Sequence, residues 1–196
     1  NKKHYSVVGT YQSKKNKLLL PFYRNPNFKK LKYIKVDLDK DKFKILKIIK
    51  LFKPTIIIDF ASMCMVAESW RFPMKYLKTN TLNKIIFLDS FRKLKFIKKY
   101  IYVSTPEVFG SSLKGQKEDE NKFNPSTPYA ISKLCTELLF KSYAKNFNFP
   151  VIIARFSNFY GPGQPVYRLI PKVIMSINKK IKFPLEGGGK SKRNFL

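Results

Sequence analysis

Five short runs rich in β-branched and aromatic residues, at 5–9, 33–36, 55–58, 100–104 and 151–154, alternate along the chain with longer stretches of helical spacing. Runs of that length predict buried strands. The stretches between them place apolar residues three or four apart: Phe43, Leu46, Ile49 and Leu51, then Tyr76, Leu77, Ile85 and Leu88, then Ile131, Leu134, Cys135 and Leu138. Each set predicts an amphipathic helix whose apolar stripe faces a core. Strand, helix, strand, helix is the order of a parallel sheet with crossover helices, so the expected class is α/β with a doubly wound parallel sheet.

The third helix has the clearest start. Thr127 can accept a bond from a first-turn N–H, and Pro128 at the first helical position gives up an N–H that has no partner there. Its end is expected between residues 146 and 150. Beyond Asn158, Gly161, Pro162, Gly163, Pro165, Pro171, Pro184 and Gly187–Gly189 punctuate the chain. Such texture predicts a less regular second region, giving a division into 1–155 and 156–196.

Composition excludes several classes. In 196 residues, 44% hydrophobic and 15% aromatic content is enough to build a core, which excludes intrinsic disorder. Forty basic residues against twelve acidic ones give a net charge of +28, a value that raises nucleic acid as a partner. Only Arg24, Arg71, Arg92, Arg155, Arg168 and Arg193 are arginines, and the lysines are scattered as singles and doublets. That distribution reads as a solvated surface without a specific nucleic-acid groove. Cys64 and Cys135 lie far apart and His4 is the sole histidine, which argues against a disulfide framework, a zinc site or a Cys–His nucleophile and fits a reducing cytoplasm. Stretch 55–67, the most apolar, is too short to span a bilayer and contains Asp59; no export signal is visible. Trp70, Met63 and Met65 are expected to line the core or a cofactor pocket.

The chemistry-bearing residues cluster around the third helix. Tyr129 and Lys133 stand four apart on one helical face, where an ammonium favours phenolate and makes the phenol a proton acceptor near neutral pH. Eleven tyrosines in so lysine-rich a chain predict about two such pairs by chance, and Tyr11–Lys15 is a second. The setting distinguishes the first. Ser104-Thr-Pro-Glu-Val-Phe-Gly110 stands at the C-terminal end of a predicted strand, where open α/β sheets bind ligands. Asn124-Pro-Ser-Thr-Pro-Tyr129 leads into the helix, and Arg155-Phe-Ser-Asn-Phe-Tyr-Gly-Pro-Gly163 follows the next strand.

This succession resembles the extended short-chain dehydrogenase/reductases, in particular the nucleotide-sugar epimerase/dehydratase family, over nearly the whole chain. The resemblance implies a Rossmann-like domain that binds NAD(P), with NAD the family default. The absence of an acidic residue from Thr10 to Lys15 leaves NADP open. It implies Thr105 as the hydroxyl on the sugar 4-OH, Tyr129 as the base and Lys133 as the ribose-holding lysine. Asp37 and Leu38 match the adenine contact, Phe60, Ala61 and Ser62 the stretch along the cofactor, and Thr79 with Asn80 the nicotinamide side. Asn158, Arg168, Leu169, Leu185 and Arg193 match positions that hold the nucleotide diphosphate and base.

Glu107 favours a 4,6-dehydratase, which needs a carboxylate to remove the C5 proton after C4 is oxidised. Nucleotide-glucuronate decarboxylases share a similar Thr-x-Glu, and 4-epimerases carry a small residue there. Pro106 departs from the glucose-type dehydratases, which place an Asp at that position, and proline donates no proton. No GxxGxxG stands between a strand and a helix, so the first strand-turn-helix unit is expected before Asn1. The expectation is an internal piece of a longer enzyme whose substrate is a nucleotide-diphosphate sugar and whose complete form is a homodimer. Its rivals are a catalytically inactive fragment and a basic nucleic-acid-binding module.

Overall fold

The structure, a computed structural model, describes residues 5–12, 32–111, 116–117, 122–161, 164–183, 189 and 195. The chain divides into two compact units: Asn1–Lys35 with Ser157–Leu196, and Val36–Phe156.

In the first unit, β1 (Val8–Tyr11) and β2 (Lys32–Lys35) pair in parallel. Gly9 lies under the Tyr33 ring, where an added Cβ would come within 2.7 Å of the side chain. The unit also holds the amphipathic helix α6 (Leu169–Asn178) and an isolated bridge between Asn158 and Phe195.

The second unit is a three-stranded parallel sheet in the order β3-β4-β5: β3 (Ile56–Asp59), β4 (Lys99–Ser104) and β5 (Val151–Arg155). Parallel neighbours require crossovers, and the intervening sequence supplies them as helices. Between β3 and β4 these are α2 (Val66–Arg71), α3 (Pro73–Leu77) and α4 (Asn83–Phe91), and between β4 and β5 it is α5 (Pro128–Phe147); α1 (Lys42–Phe52) precedes β3. All five expected strands form, with ends displaced by a few residues.

Register aligns Asp59 with Tyr102 and Arg155 with Ser104, so Asp59, Tyr100, Tyr102, Ser104 and Arg155 share one face. Against that face packs an aromatic core. Tyr100 stands 5.2 Å from Phe140 and 5.7 Å from Phe149, and Phe91 stacks on Phe87 at 5.8 Å. On the other face Ile56, Ile58 and Ile152 are 43%, 54% and 47% exposed.

The expected second helix is instead broken into three pieces. Pro73 opens a new helix after Phe72, and a π-helical turn at Lys78–Leu82 follows, which swings Asn80 and Thr81 into the interior. The expected apolar faces also need correction. In α1, Phe43 and Leu51 are exposed and Ile45 is buried. In α5, Ile131 and Leu138 are about half exposed, while Tyr129, Ala130, Ser132, Lys133, Thr136, Glu137 and Phe140 face the core. Trp70 and Met65 are exposed, not core. Polar residues can take the inward stripe of α5 because nearly every one finds a buried partner, as described next.

Candidate active site

Thr105 follows the last residue of β4 and caps the turn after it. Its backbone is extended, and its hydroxyl accepts the Glu107 N–H at 3.3 Å, which turns the chain into one 3-10 turn at Pro106–Phe109. Pro106 fits the first position of that turn because the N–H it lacks is unused there. Val108 is the buried anchor and Glu107 is half-buried. Gly110 ends the turn at φ 70°, and an added Cβ would lie 2.1 Å from the Asn124 carbonyl oxygen. The Asn124 N–H donates to the Val108 carbonyl at 3.1 Å, closing the segment on itself. Phe109 stacks on Phe123 at 5.6 Å, with the Arg155 guanidinium 4.9 Å and 5.4 Å from their centroids. The whole turn packs on α5.

Helix α5 starts where the sequence predicts. Thr127 accepts the Ala130 N–H at 3.1 Å, and Pro128 opens the helix; Asn148 closes it in the left-handed conformation. Tyr129, Lys133 and Glu137 follow at intervals of four, in one inward column. Tyr129 meets Tyr76 edge to face at 6.4 Å. The Lys133 ammonium donates to the Val103 carbonyl at 2.6 Å and lies 4.3 Å from the Tyr102 ring centroid. Burial pushes this amine down to about 8, the Lys84 charge adds to that shift, and Asp59, Glu137 and Cys64 oppose it. Glu137, fully buried, takes Arg155 in a two-pronged pair, 2.6 Å to one guanidinium nitrogen, and accepts the Ser104 hydroxyl.

A second polar stripe ties α5 to the π-helical turn. Asn80 donates to Ser132 Oγ and to the Met63 carbonyl, each at 3.0 Å, and accepts the Met63 N–H at 2.8 Å. Thr81 donates to the Ser132 carbonyl and Thr136 to the Asn80 carbonyl. Asn80 thereby fixes the 60–65 loop to the helix carrying Tyr129. At the root of that loop, Asp59 accepts Lys84 at 2.6 and 2.7 Å, the Tyr100 hydroxyl at 2.6 Å and the Ala61 N–H at 3.0 Å. Burial alone would raise this carboxyl; the Lys84 charge and these bonds hold it below the usual carboxylate range.

The structure therefore brings Thr105, Glu107, Tyr129 and Lys133 together at the end of β4 and the start of α5. Phe60 and Ala61 are exposed and Ser62 half-exposed on the loop after β3, and Thr79 is half-buried on the π-helical turn. Asp37 and Leu38 stand before α1, where Asp37 accepts the Asp39 N–H at 2.8 Å. Asn158, Arg168 and Leu169 belong to the other compact unit, with Arg168 at the N-terminal cap of α6. Leu185, Arg193 and residues 13–15 lie outside the described residues. Sequence reasoning missed Lys84, Asn80 as a brace, and Glu137. Two signals stood in the sequence: Glu137 is the single acid of α5 and repeats the Tyr129–Lys133 spacing, and Asp59 interrupts an apolar strand.

The model of the GDP-mannose 4,6-dehydratase family matches residues 1–196, the full chain. The chain belongs to that family. A curated relative, dTDP-D-glucose 4,6-dehydratase of Dictyostelium discoideum, is 37% identical over 155 residues, covering 74% of this chain and 36% of the relative. Among solved structures, dTDP-glucose 4,6-dehydratase from Bacillus anthracis in complex with NAD superimposes with a TM-score of 0.75 at 28% identity, covering 87% of this chain and 52% of that one. UDP-N-acetylglucosamine 4-epimerase from Methanobrevibacter ruminantium, in complex with UDP-N-acetylmuramic acid, gives 0.77 at 29% identity, covering 88% and 55%. The chain thus spans about half or less of the length of these relatives.

Proposed function

We propose that the protein to which this chain belongs is a nucleotide-sugar 4,6-dehydratase working through transient oxidation at C4. The observation that carries the reading is the capped Thr105–Gly110 turn, which sets a hydroxyl and a carboxylate beside the Tyr129–Lys133 helix at the C-terminal end of a parallel strand. Dehydratase relatives and a neighbour holding NAD support it.

The donor set fits the nicotinamide end of NAD. An ammonium has three N–H donors and Val103 takes one, so Lys133 retains capacity for ribose hydroxyls. Phe60, Ala61 and Ser62 offer an open loop braced from below by Asn80. NAD, when bound, supplies the hydride acceptor for C4 and the donor that later reduces C6. The remaining chemistry falls to side chains. Thr105 accepts or donates at the sugar 4-hydroxyl, and Tyr129 takes its proton with the Lys133 charge favouring phenolate. Once C4 is a ketone the C5 proton is acidic, and Glu107 removes it as the C6 hydroxyl leaves. Pro106 cannot protonate that hydroxyl, so its proton comes from another group.

The same proposal includes a homodimer. Ile131 and Leu138, seven residues apart on α5, leave an apolar stripe exposed, and Trp70 and Met74 on the neighbouring helices are exposed as well. Among the described residues no helix is long and apolar enough to cross a membrane. Two cysteines kept as thiols fit a cytoplasmic setting.

The test uses the intact protein with dTDP-glucose, UDP-glucose and GDP-mannose, each with NAD or NADP. A 4-keto-6-deoxy product supports the proposal. Glu107→Gln should still reduce bound cofactor, seen in its near-ultraviolet absorbance, yet form no 6-deoxy sugar. A product inverted only at C4 would replace the reading with a 4-epimerase, and release of carbon dioxide from a glucuronate would replace it with a decarboxylase. No turnover and no cofactor binding would make the chain a catalytically inactive member.

A further inference from the structure

Five charged side chains are withdrawn from water between the three-stranded sheet and its helices: Asp59, Lys84, Lys133, Glu137 and Arg155, none more than 13% exposed. Three are cations and two are carboxylates. Glu137 is matched by Arg155, and Asp59 by Lys84. Lys133 is the cation in excess, held by two neutral groups, the Val103 carbonyl and the Tyr102 ring. Yet a carboxylate stands close by. Asp59 is the register partner of Tyr102, whose ring underlies Lys133, and each of the two charges acts on the other.

We propose that Lys84 is a positioning residue for the Tyr129–Lys133 pair: by occupying Asp59 at the end of β3, it keeps that carboxylate from capturing Lys133, whose charge therefore stays available one helical turn from Tyr129. The inference rests on the proposed role of Tyr129 as proton acceptor. At Lys133 the Lys84 charge offsets part of the attraction of Asp59, as it must when two opposite charges stand in contact. Without Lys84, Asp59 would be a buried anion held only by the Tyr100 hydroxyl and the Ala61 N–H, and Lys133 is the other cation that acts on it. An ion pair there would draw the ammonium towards β3 and cancel the field that favours phenolate at Tyr129.

The groups facing Lys133 are Tyr129 and Glu137 on α5, Tyr102 on β4, Asp59 on β3, Lys84 on α4 and Cys64 in the 60–65 loop. Burial, and then Asp59, hold the Tyr102 phenol well above its ordinary value, so it adds no charge. Tyr100 is kept neutral in the same way while it donates to Asp59. Loss of Lys84 thus changes the charge balance at Lys133 from β3 and α4, away from Thr105, Glu107 and the start of α5.

The experiment compares the intact protein with Lys84→Met, Lys84→Arg, and the double variant Asp59→Asn/Lys84→Met. Two readouts are taken: the side-chain NMR titration of Lys133, which stands apart from the ordinary lysines, and the pH dependence of kcat/KM. Lys84→Met should move the Lys133 titration upward by about one pH unit or more and shift the acid limb of kcat/KM to higher pH, a loss of about tenfold at neutral pH. Lys84→Arg and the double variant should return both towards the parent. Lys84→Gln carries the same expectation should Lys84→Met fail to fold. An unmoved Lys133 titration overturns the proposal, as does an activity loss equal at every pH and not recovered in the double variant. If the parent turns over no nucleotide sugar, the functional reading fails, while the Lys133 titration still decides the role of Lys84.

Discussion

Replacing Gly110 by alanine tests whether the Thr105–Gly110 turn is held as tightly as its geometry says. Gly110 has φ 70° and ψ −159°, a region that residues with a Cβ occupy at a cost of about 1–3 kcal/mol. The new methyl group would also sit 2.1 Å from a backbone carbonyl oxygen, that of Asn124, against an ordinary contact of about 3.5 Å, so the Asn124 backbone must retreat by more than an ångström. Retreat breaks the Asn124 N–H bond to Val108 and loosens the stacked Phe109 and Phe123. Together these effects predict a loss of at least about 2 kcal/mol, or a Tm lower by about 4–8 °C for a protein of this size. Turnover should fall further than stability explains, since Thr105 and Glu107 ride on the same turn. Gly161→Ala is the control: no atom lies within 4 Å of its added Cβ, and its Tm should not change. Equal Tm values for Gly110→Ala and the parent, with turnover intact, would refute the account of the turn.

Glu137→Gln should cost about 3–5 kcal/mol in urea unfolding because it strands the buried Arg155 guanidinium, and the double variant Glu137→Leu/Arg155→Leu should recover most of that loss. For Lys133 the unfolded amine, at its ordinary 10.5, binds more protons than the folded one at about 8, so stability should rise with pH across that interval by about 3 kcal/mol at most. Chemical denaturation of the parent against Lys133→Met checks this, and a matching pH slope in the two would contradict it. Asp59 works in the opposite window: its folded carboxyl lies below the usual range, so its contribution is complete above about pH 4 and is lost as pH falls through the lower folded value. Ile131→Glu with Leu138→Glu should convert a dimer of the intact protein to monomers in analytical ultracentrifugation, with each protomer still folded.

The parallel strands were legible because a buried strand in such a sheet is a short continuous apolar run, and the start of α5 was legible because Thr127-Pro128 is a local signal. The inward face of α5 was not. Periodicity finds the more apolar stripe, Ile131 to Leu138, and assigns it to the core; the true inward stripe carries Tyr129, Lys133 and Glu137, whose burial depends on partners far away in sequence. Asn80 shows the same limit. Its residue type fits many places on a helix, and only the π-helical turn reveals that its amide braces Met63 and Ser132. Thr105, Glu107, Tyr129 and Lys133 were singled out as candidates by their order along the chain, whereas the ion pairs packed around them depend on contacts that no local pattern encodes.

The bare isoleucine face of the three-stranded sheet has a colloidal consequence. Ile56, Ile58 and Ile152 make a branched apolar surface, with Lys99 beside Ile56 on the same face. Apolar surface of that kind favours the addition of another copy. A net charge of +28 opposes association through this face, and that repulsion is screened over about 10 Å at 0.1 M salt and about 3 Å at 1 M. High salt, the usual means of stripping nucleic acid from a basic protein, would here remove the barrier to self-association, so purification at moderate ionic strength should give the longer-lived solution.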